Sequence, residues 1–414
     1  MAWTPPPRPR WLERLNTLGP AAGSAADLIP LDGAELIDRA CGSTELDDFG
    51  GDSWRPHFDL LVNALQNEAQ LHTAGRLIAR SELLRSLRNR LLITEFLHHG
   101  EPLVHPGIEA PVFVVGTARS GTSILHELLG CDPDNRLPTT WEVLHPVEAA
   151  RGQTEMAAIG DGEVTLWHDL QPEYQAMHLN GGELPTECIF LTMNEFLSDQ
   201  WGGCHRIPSY SAHLAAIDHT DAYRFHRRQL QVMQQREHRS RWVLKAPSHL
   251  ATLPALFSVY PDARVIFIHR DPLQTVPSTL SLMATLKWMR SDVVDLEDAV
   301  AVLPVGFAWM LDAIITMRAD GVIPDDQIVD LRYRDLLADP AGAVAAAYRH
   351  FGLRFSPEVG RTIEDYVARK PRGKHGTHRY SLDDLGLDHA TERERFAFYT
   401  DRFDLVEDAD RSHR

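Results

Sequence analysis

Cysteine, positive charge and any leader-like apolar segment are all scarce in this chain. Only four cysteines occur in 414 residues, Cys41, Cys131, Cys188 and Cys204, and no two form a CxxC pair. Such spacing builds neither a disulfide framework nor a zinc knuckle and reads as reduced thiols in a cytoplasmic protein. The 41 Lys+Arg residues are outnumbered by 58 Asp+Glu, for a formal net charge of −17. An acidic chain repels phosphate backbones, so generic nucleic-acid binding is disfavoured, and an anionic ligand needs a local cluster of cations. The opening Met-Ala-Trp-Thr-Pro-Pro-Pro lacks the apolar stretch of a secretory signal. The prominent apolar runs, residues 111–115 and 265–268, are strand-sized and too short to span a bilayer, so no transmembrane segment is expected. No set of side chains has metal-ligand spacing, and nothing decides the oligomeric state, so a homo-oligomer stays open.

What is present has the texture of a globular protein: 43% hydrophobic and 24% charged residues. The length suits two or three domains, or one large domain with additions. Between residues 54 and 99 the apolar positions Leu60, Leu61, Ala64 and Leu65, then Leu83, Leu84, Leu87 and Leu91, keep the three-to-four spacing of a helix face. Residues 111–115, 241–245, 264–268 and 327–331 are short apolar runs rich in β-branched residues, as buried parallel strands are. Helical patterns at 123–129, 250–260 and 275–287 lie between them. The alternation predicts an α/β fold, a P-loop-type parallel sheet flanked by helices. The expected division is an N-terminal helical region over 1–110 and an α/β unit over 111–414. A helical insertion at 147–240 carries Trp167, His168, Tyr174, His178, Trp201, His205, Tyr210 and His213 and is placed to form an acceptor pocket.

The most informative stretch is Gly116-Thr-Ala-Arg119-Ser120-Gly121-Thr122-Ser123, after one predicted strand and at the start of a predicted helix. Glycines there let the backbone wrap an anion, and the helix N-terminus offers free N–H groups. The Gly-x4-Gly spacing is that of a nucleotide-binding loop, yet Thr122 stands where an ATPase or kinase needs its phosphate-binding lysine. The positive charge precedes the serine instead, as Arg119. Arg119-Ser120-Gly121-Thr122-Ser123 resembles the [KR]-S-G-T-[TS] loop of sulfotransferases that use 3′-phosphoadenosine 5′-phosphosulfate. Arg270, at the end of the third long strand, and Ser278, eight residues on, are similar to the family's 3′-phosphate pair; an arginine fork and a hydroxyl suit a phosphate. Tyr333, after the last strand, and Arg372 and Lys374, in a basic glycine-containing loop within 366–390, resemble further nucleotide contacts. The resemblance covers residues 111–145 and 241–390.

This likeness implies in-line, metal-independent transfer of a sulfuryl group to a hydroxyl, less readily an amine, of a small or lipid-like acceptor. The product would be adenosine 3′,5′-bisphosphate. Positioning and charge stabilisation carry such a reaction. Arg119 and Lys245, with the loop N–H groups, would neutralise the bridging oxygen. Two residues compete as general base. Glu142 sits near the position of the catalytic glutamate of tyrosylprotein sulfotransferases. His249 lies four residues after Lys245, whereas cytosolic sulfotransferases place a histidine two residues on, where this chain has Pro247. Glu183 and Glu187, flanking a proline in the insertion, are acceptor-pocket candidates, while His168, His178 and His205 read as packing residues. The alternatives are a P-loop kinase or other ATP-dependent enzyme, and a non-catalytic nucleotide-binding module.

Overall fold

The computed structural model describes residues 3–370 and 381–405. Five strands form one parallel sheet: β1 (Val112–Val115), β2 (Asn135–Arg136), β3 (Arg241–Lys245), β4 (Arg264–His269) and β5 (Ile328–Arg332). Their order is β2-β3-β1-β4-β5, with Val112 opposite both Val243 and Arg264. Alternate side chains feed two cores, as the pleat requires. Phe113, Val115, Leu244, Val265 and Phe267 pack with Leu253, Leu256, Val276, Leu280 and Leu311. Val112, Val114, Val243, Ile266 and Ile268 pack with Leu125, Leu128, Val344 and Ala347 on the opposite face. Because both faces are covered, the strands read as unbroken apolar runs. The chain leaves β1 to one side for β2 and β3 and returns to the other for β4 and β5. The loop after β1 thus lies at the point where the winding reverses, where α/β sheets bind ligands. The two-residue β2 carries no legible period; Asn135 is held there by its Nδ2 bonds to Leu129 O and Tyr348 Oη, each 2.7 Å.

The helical pattern of residues 54–99 is two helices, Arg55–Asn67 and Thr73–His98. The break accommodates the chain near Arg290: His72 N donates to Arg290 O at 3.1 Å, and His72 Nδ1 caps the second helix by accepting from Gly75 N at 3.0 Å. A Cβ at Gly75 would lie 1.9 Å from Arg290 O, so only glycine fits. These helices share a core with the insertion. Leu61, Leu65, Leu83 and Leu87 pack with Phe196, Trp201 and Tyr210, and a buried ion pair joins Arg90 to Glu195.

One apolar segment is longer than the strand-sized runs expected. Leu296–Ala319 is a single helix with a stretch of mean hydropathy 1.9, long and apolar enough to cross a membrane by length and composition. Leu311 and Ile314 pack against the sheet, while Val302 and Trp309 on the outer face are 68% and 71% exposed. Pro304 and Asp312 interrupt the run and hid it as a linear pattern.

Candidate active site

β1 ends at Val115, and the chain turns through Gly116 to Gly121 into the helix Thr122–Leu129. Two glycines are indispensable here. A Cβ at Gly116 would stand 2.5 Å from Ser120 Oγ and 2.7 Å from Ile268 O. Gly121 has φ 102°, and a Cβ there would meet the Tyr333 ring at 2.4 Å. Arg119 adopts φ 69°, a conformation that side chains rarely take and that functional loops often hold. Inside this turn Ser120 Oγ is fully buried and has no hydrogen-bond partner among the described residues, a cost that an anion's oxygen would relieve.

Around the loop the cations converge. Arg270 Nη1 donates to Arg119 O at 2.9 Å, and its guanidinium stacks 4.6 Å from the Tyr333 ring centre. Arg119 Nε donates to Ser278 Oγ at 3.0 Å, and its Nη1 donates to Met177 O at 2.8 Å. Across the helix start, Lys245 Nζ lies 3.2 Å from Ser123 Oγ and forms an ion pair with Glu187. Two backbone bonds plant that carboxylate: Cys188 N donates to Lys245 O at 2.8 Å, and Thr186 N to Pro138 O at 3.0 Å. Burial pushes the Glu187 carboxyl up, but Lys245 and then His178 outweigh it, so it remains below the usual glutamate value. The His178 imidazole is itself lowered to about 4, chiefly by burial. Of the two insertion acids, Glu183 is exposed and Glu187 faces the site.

Arg119, Gly121, Ser123, Lys245, Arg270, Ser278 and Tyr333 are therefore linked by contacts around the turn that also carries Ser120 and Thr122. Glu142 and His249 are engaged by other partners. Glu142 closes a capping box at the helix Thr140–Leu144, accepting from Thr139 N at 3.1 Å, and it is bound by Arg136 at 2.8 Å and Arg236 at 3.4 Å. Glu142→Gln is expected to keep the cap, which glutamine also makes, but to cost about 3 kcal/mol by stranding the buried Arg136 charge. Thermal unfolding with and without adenosine 3′,5′-bisphosphate checks this: stability falls and nucleotide affinity stays. A variant of unchanged stability whose release of sulfate from the donor falls sharply would return Glu142 to the site as a base.

His249 is drawn under the sheet by the 3-10 turn Pro247–Thr252, where Nδ1 meets Tyr223 Oη at 2.7 Å and the ring meets Phe113 edge-on at 5.0 Å. Burial holds its imidazole well below the ordinary value. Arg372 and Lys374 lie outside the described residues. His178, a packing residue by its sequence, is brought near Glu187 by the tie between Arg119 and its neighbour Met177.

A parallel sheet with a lysine-less Gly-x4-Gly loop at its reversal point, and an arginine–serine pair on the next strand and helix, is the α/β architecture of a transferase. The chain belongs to the sulfotransferase family, which it matches over residues 111–357. The structure is similar to that of sulfotransferase STF1 from Mycobacterium tuberculosis H37Rv, at 33% identity and TM-score 0.74, covering 88% of this chain and 98% of that one. It shares its fold with STF9 from Mycobacterium avium, at 24% identity and TM-score 0.77, covering 90% and 97%. Among characterised relatives, the omega-hydroxy-beta-dihydromenaquinone-9 sulfotransferase Stf3 of Mycobacterium bovis is 27% identical over 284 residues, 63% of this chain and 69% of Stf3.

Proposed function

We propose that this chain transfers the sulfuryl group of 3′-phosphoadenosine 5′-phosphosulfate to a hydroxyl, less readily an amine, of a lipid-like acceptor, without a metal. The observation that carries the donor is the convergence of Arg119, Lys245, Arg270 and Ser278 on a loop whose buried Ser120 hydroxyl lacks a partner among the described residues. The loop N–H groups, Ser120, Thr122 and Ser123 would hold the phosphosulfate end. Arg270 and Ser278 would hold the 3′-phosphate, with Tyr333 against the nucleotide and Arg372 and Lys374 adding charge. The donor supplies the activated sulfuryl group. Arg119 and Lys245 stabilise the charge that collects on the leaving phosphate oxygen.

The acceptor class rests on the relative Stf3, whose name records a hydroxylated lipid quinone. All four cysteines are free thiols, which agrees with a cytoplasmic setting.

Calorimetric titration with adenosine 3′,5′-bisphosphate, and with ATP in the presence and absence of magnesium, tests the reading. Bisphosphate binding on the order of micromolar Kd, independent of magnesium, is expected. Preference for magnesium–ATP would overturn it in favour of phosphoryl transfer, and tight nucleotide binding with no turnover of any hydroxylated acceptor in favour of a binding module.

A further inference from the structure

We propose that Glu187 is the general base of this enzyme and that its ion pair with Lys245 makes it available only when the donor is bound. The assignment rests on the donor reading above. It moves the base from the positions implied by the family likeness, Glu142 and His249, to the insertion.

Among the described residues, Glu187 is the one carboxylate paired with the site's lysine. Its side chain is 15% exposed and that of Lys245 3%, so the pair faces the site from a largely dry wall. The backbone fixes it there: Thr186 is bonded to Pro138, Thr139 bridges Pro185, and Cys188 is bonded to the carbonyl of Lys245 itself. A carboxylate held by main chain on both sides is positioned as a base must be, before the acceptor arrives. Glu142 cannot serve, because Thr139, Arg136 and Arg236 already occupy its oxygens. His249 cannot serve, because it is buried against Phe113 and Tyr223.

Among the described residues, the charged and titratable groups around Glu187 are Lys245 from β3, His178, Tyr174 and Cys188 from the insertion and His126 from the phosphate-loop helix. Lys245 dominates among the charges, so its carboxylate is a weak base while the pair is intact. The same ammonium is the group suited to the donor's bridging oxygen. As Lys245 turns to that oxygen, Glu187 loses part of its counter-charge while remaining desolvated, and its affinity for a proton rises.

The chemical step then balances. Glu187 takes the proton of the acceptor hydroxyl as the acceptor oxygen forms its bond to sulfur. The bond from sulfur to the 5′-phosphate oxygen breaks, and its electron pair leaves on adenosine 3′,5′-bisphosphate beside Lys245. The proton on Glu187 then passes to solvent. An acceptor hydroxyl is thus deprotonated only with the donor in place, which protects the carboxylate from idle occupancy.

The test compares the full-length protein with Glu187→Gln by calorimetry with adenosine 3′,5′-bisphosphate in buffers of different ionisation heat at pH 6. Wild type is expected to take up more protons on binding than the variant, because the nucleotide draws Lys245 from Glu187. The variant, with Lys245 released, is expected to bind the bisphosphate several-fold more tightly. Its release of sulfate from 3′-phosphoadenosine 5′-phosphosulfate, with water as acceptor, should fall about 100-fold or more, with partial recovery in Glu187→Asp. A residue that only supports the fold would weaken binding and leave proton uptake unchanged, and either result overturns the assignment. So does sulfate release by the variant within tenfold of wild type. Failure of both proteins to bind the bisphosphate overturns the donor reading instead, and the assignment with it.

Discussion

Arg270→Ala is expected to weaken adenosine 3′,5′-bisphosphate binding about 100-fold, the largest loss from any single change in the nucleotide site. One N–H of this guanidinium is committed to Arg119 O at 2.9 Å, and its face is held on Tyr333 at 4.6 Å. Those two contacts aim the rest of the fork at the end of β4, beside Ser278. A planar fork fixed before binding loses little freedom when it grips a phosphate, and each charge-assisted bond there is worth about 1.5–3 kcal/mol. Lysine at the same position keeps the charge but neither the stack nor the fork, so Arg270→Lys should recover only part of the affinity. Calorimetric Kd values measured beside the thermal stability of each free variant separate ligand loss from loop collapse. An Arg270→Ala protein that folds normally and binds within threefold of wild type would remove Arg270 from the site.

A steep loss of stability is expected as pH falls from 6.5 toward 4, well above the range in which paired carboxylates protonate. Burial is the leading cause that lowers His57 and His72 to about 4 and His126, His205 and His226 to about 3. For a histidine whose folded pKa is depressed, the unfolded chain binds the proton first. The stabilisation is complete above about pH 6.5 and is lost as pH drops through the window between the unfolded and folded values. Each such group removes about 1.4 kcal/mol per pH unit inside that window. Five together approach a marginal protein's whole stability within one or two units. Thermal unfolding followed from pH 8 to pH 4.5 should show uptake of about four to five protons on unfolding near pH 5.5. An uptake below one proton there would mean that these rings are hydrated or charged in the native protein. Part of this sensitivity is structural in a specific way. His57 Nδ1 meets His213 Nε2 at 2.9 Å and joins an N-terminal helix to the insertion, a contact that needs at least one neutral ring.

The exposed helix face at Val302, Val305 and Trp309 and the acid-sensitive histidines were both invisible as patterns in the chain, for different reasons. In Leu296–Ala319 apolar residues occur on every face, so periodicity cannot say which side is covered. A buried histidine differs from an exposed one only in what packs on it. The phosphate loop was legible because its function is a backbone conformation, and a glycine at Gly121 is required by its own φ and by the approach of Tyr333.

Some features follow from residues adjacent in sequence. The four long strands, the turn from Gly116 to Ser123, and the eight-residue step from Arg270 to Ser278 are set by local sterics, side-chain alternation and one helical entry. The sequence by itself therefore determined the parallel sheet and the glycine-dependent turn at its reversal point. The tertiary structure decided the rest. Glu142 and Glu187 look alike in the chain, each an acid beside a helix start. Glu142 is met by Arg136 and Arg236, whereas Glu187 is delivered by backbone pairing to a lysine 58 positions away. His249 follows Lys245 closely, yet the 3-10 turn after β3 carries it under Phe113. A carboxylate or an imidazole acquires its role from the charge and solvent around it, and these are brought by segments whose approach no local pattern encodes.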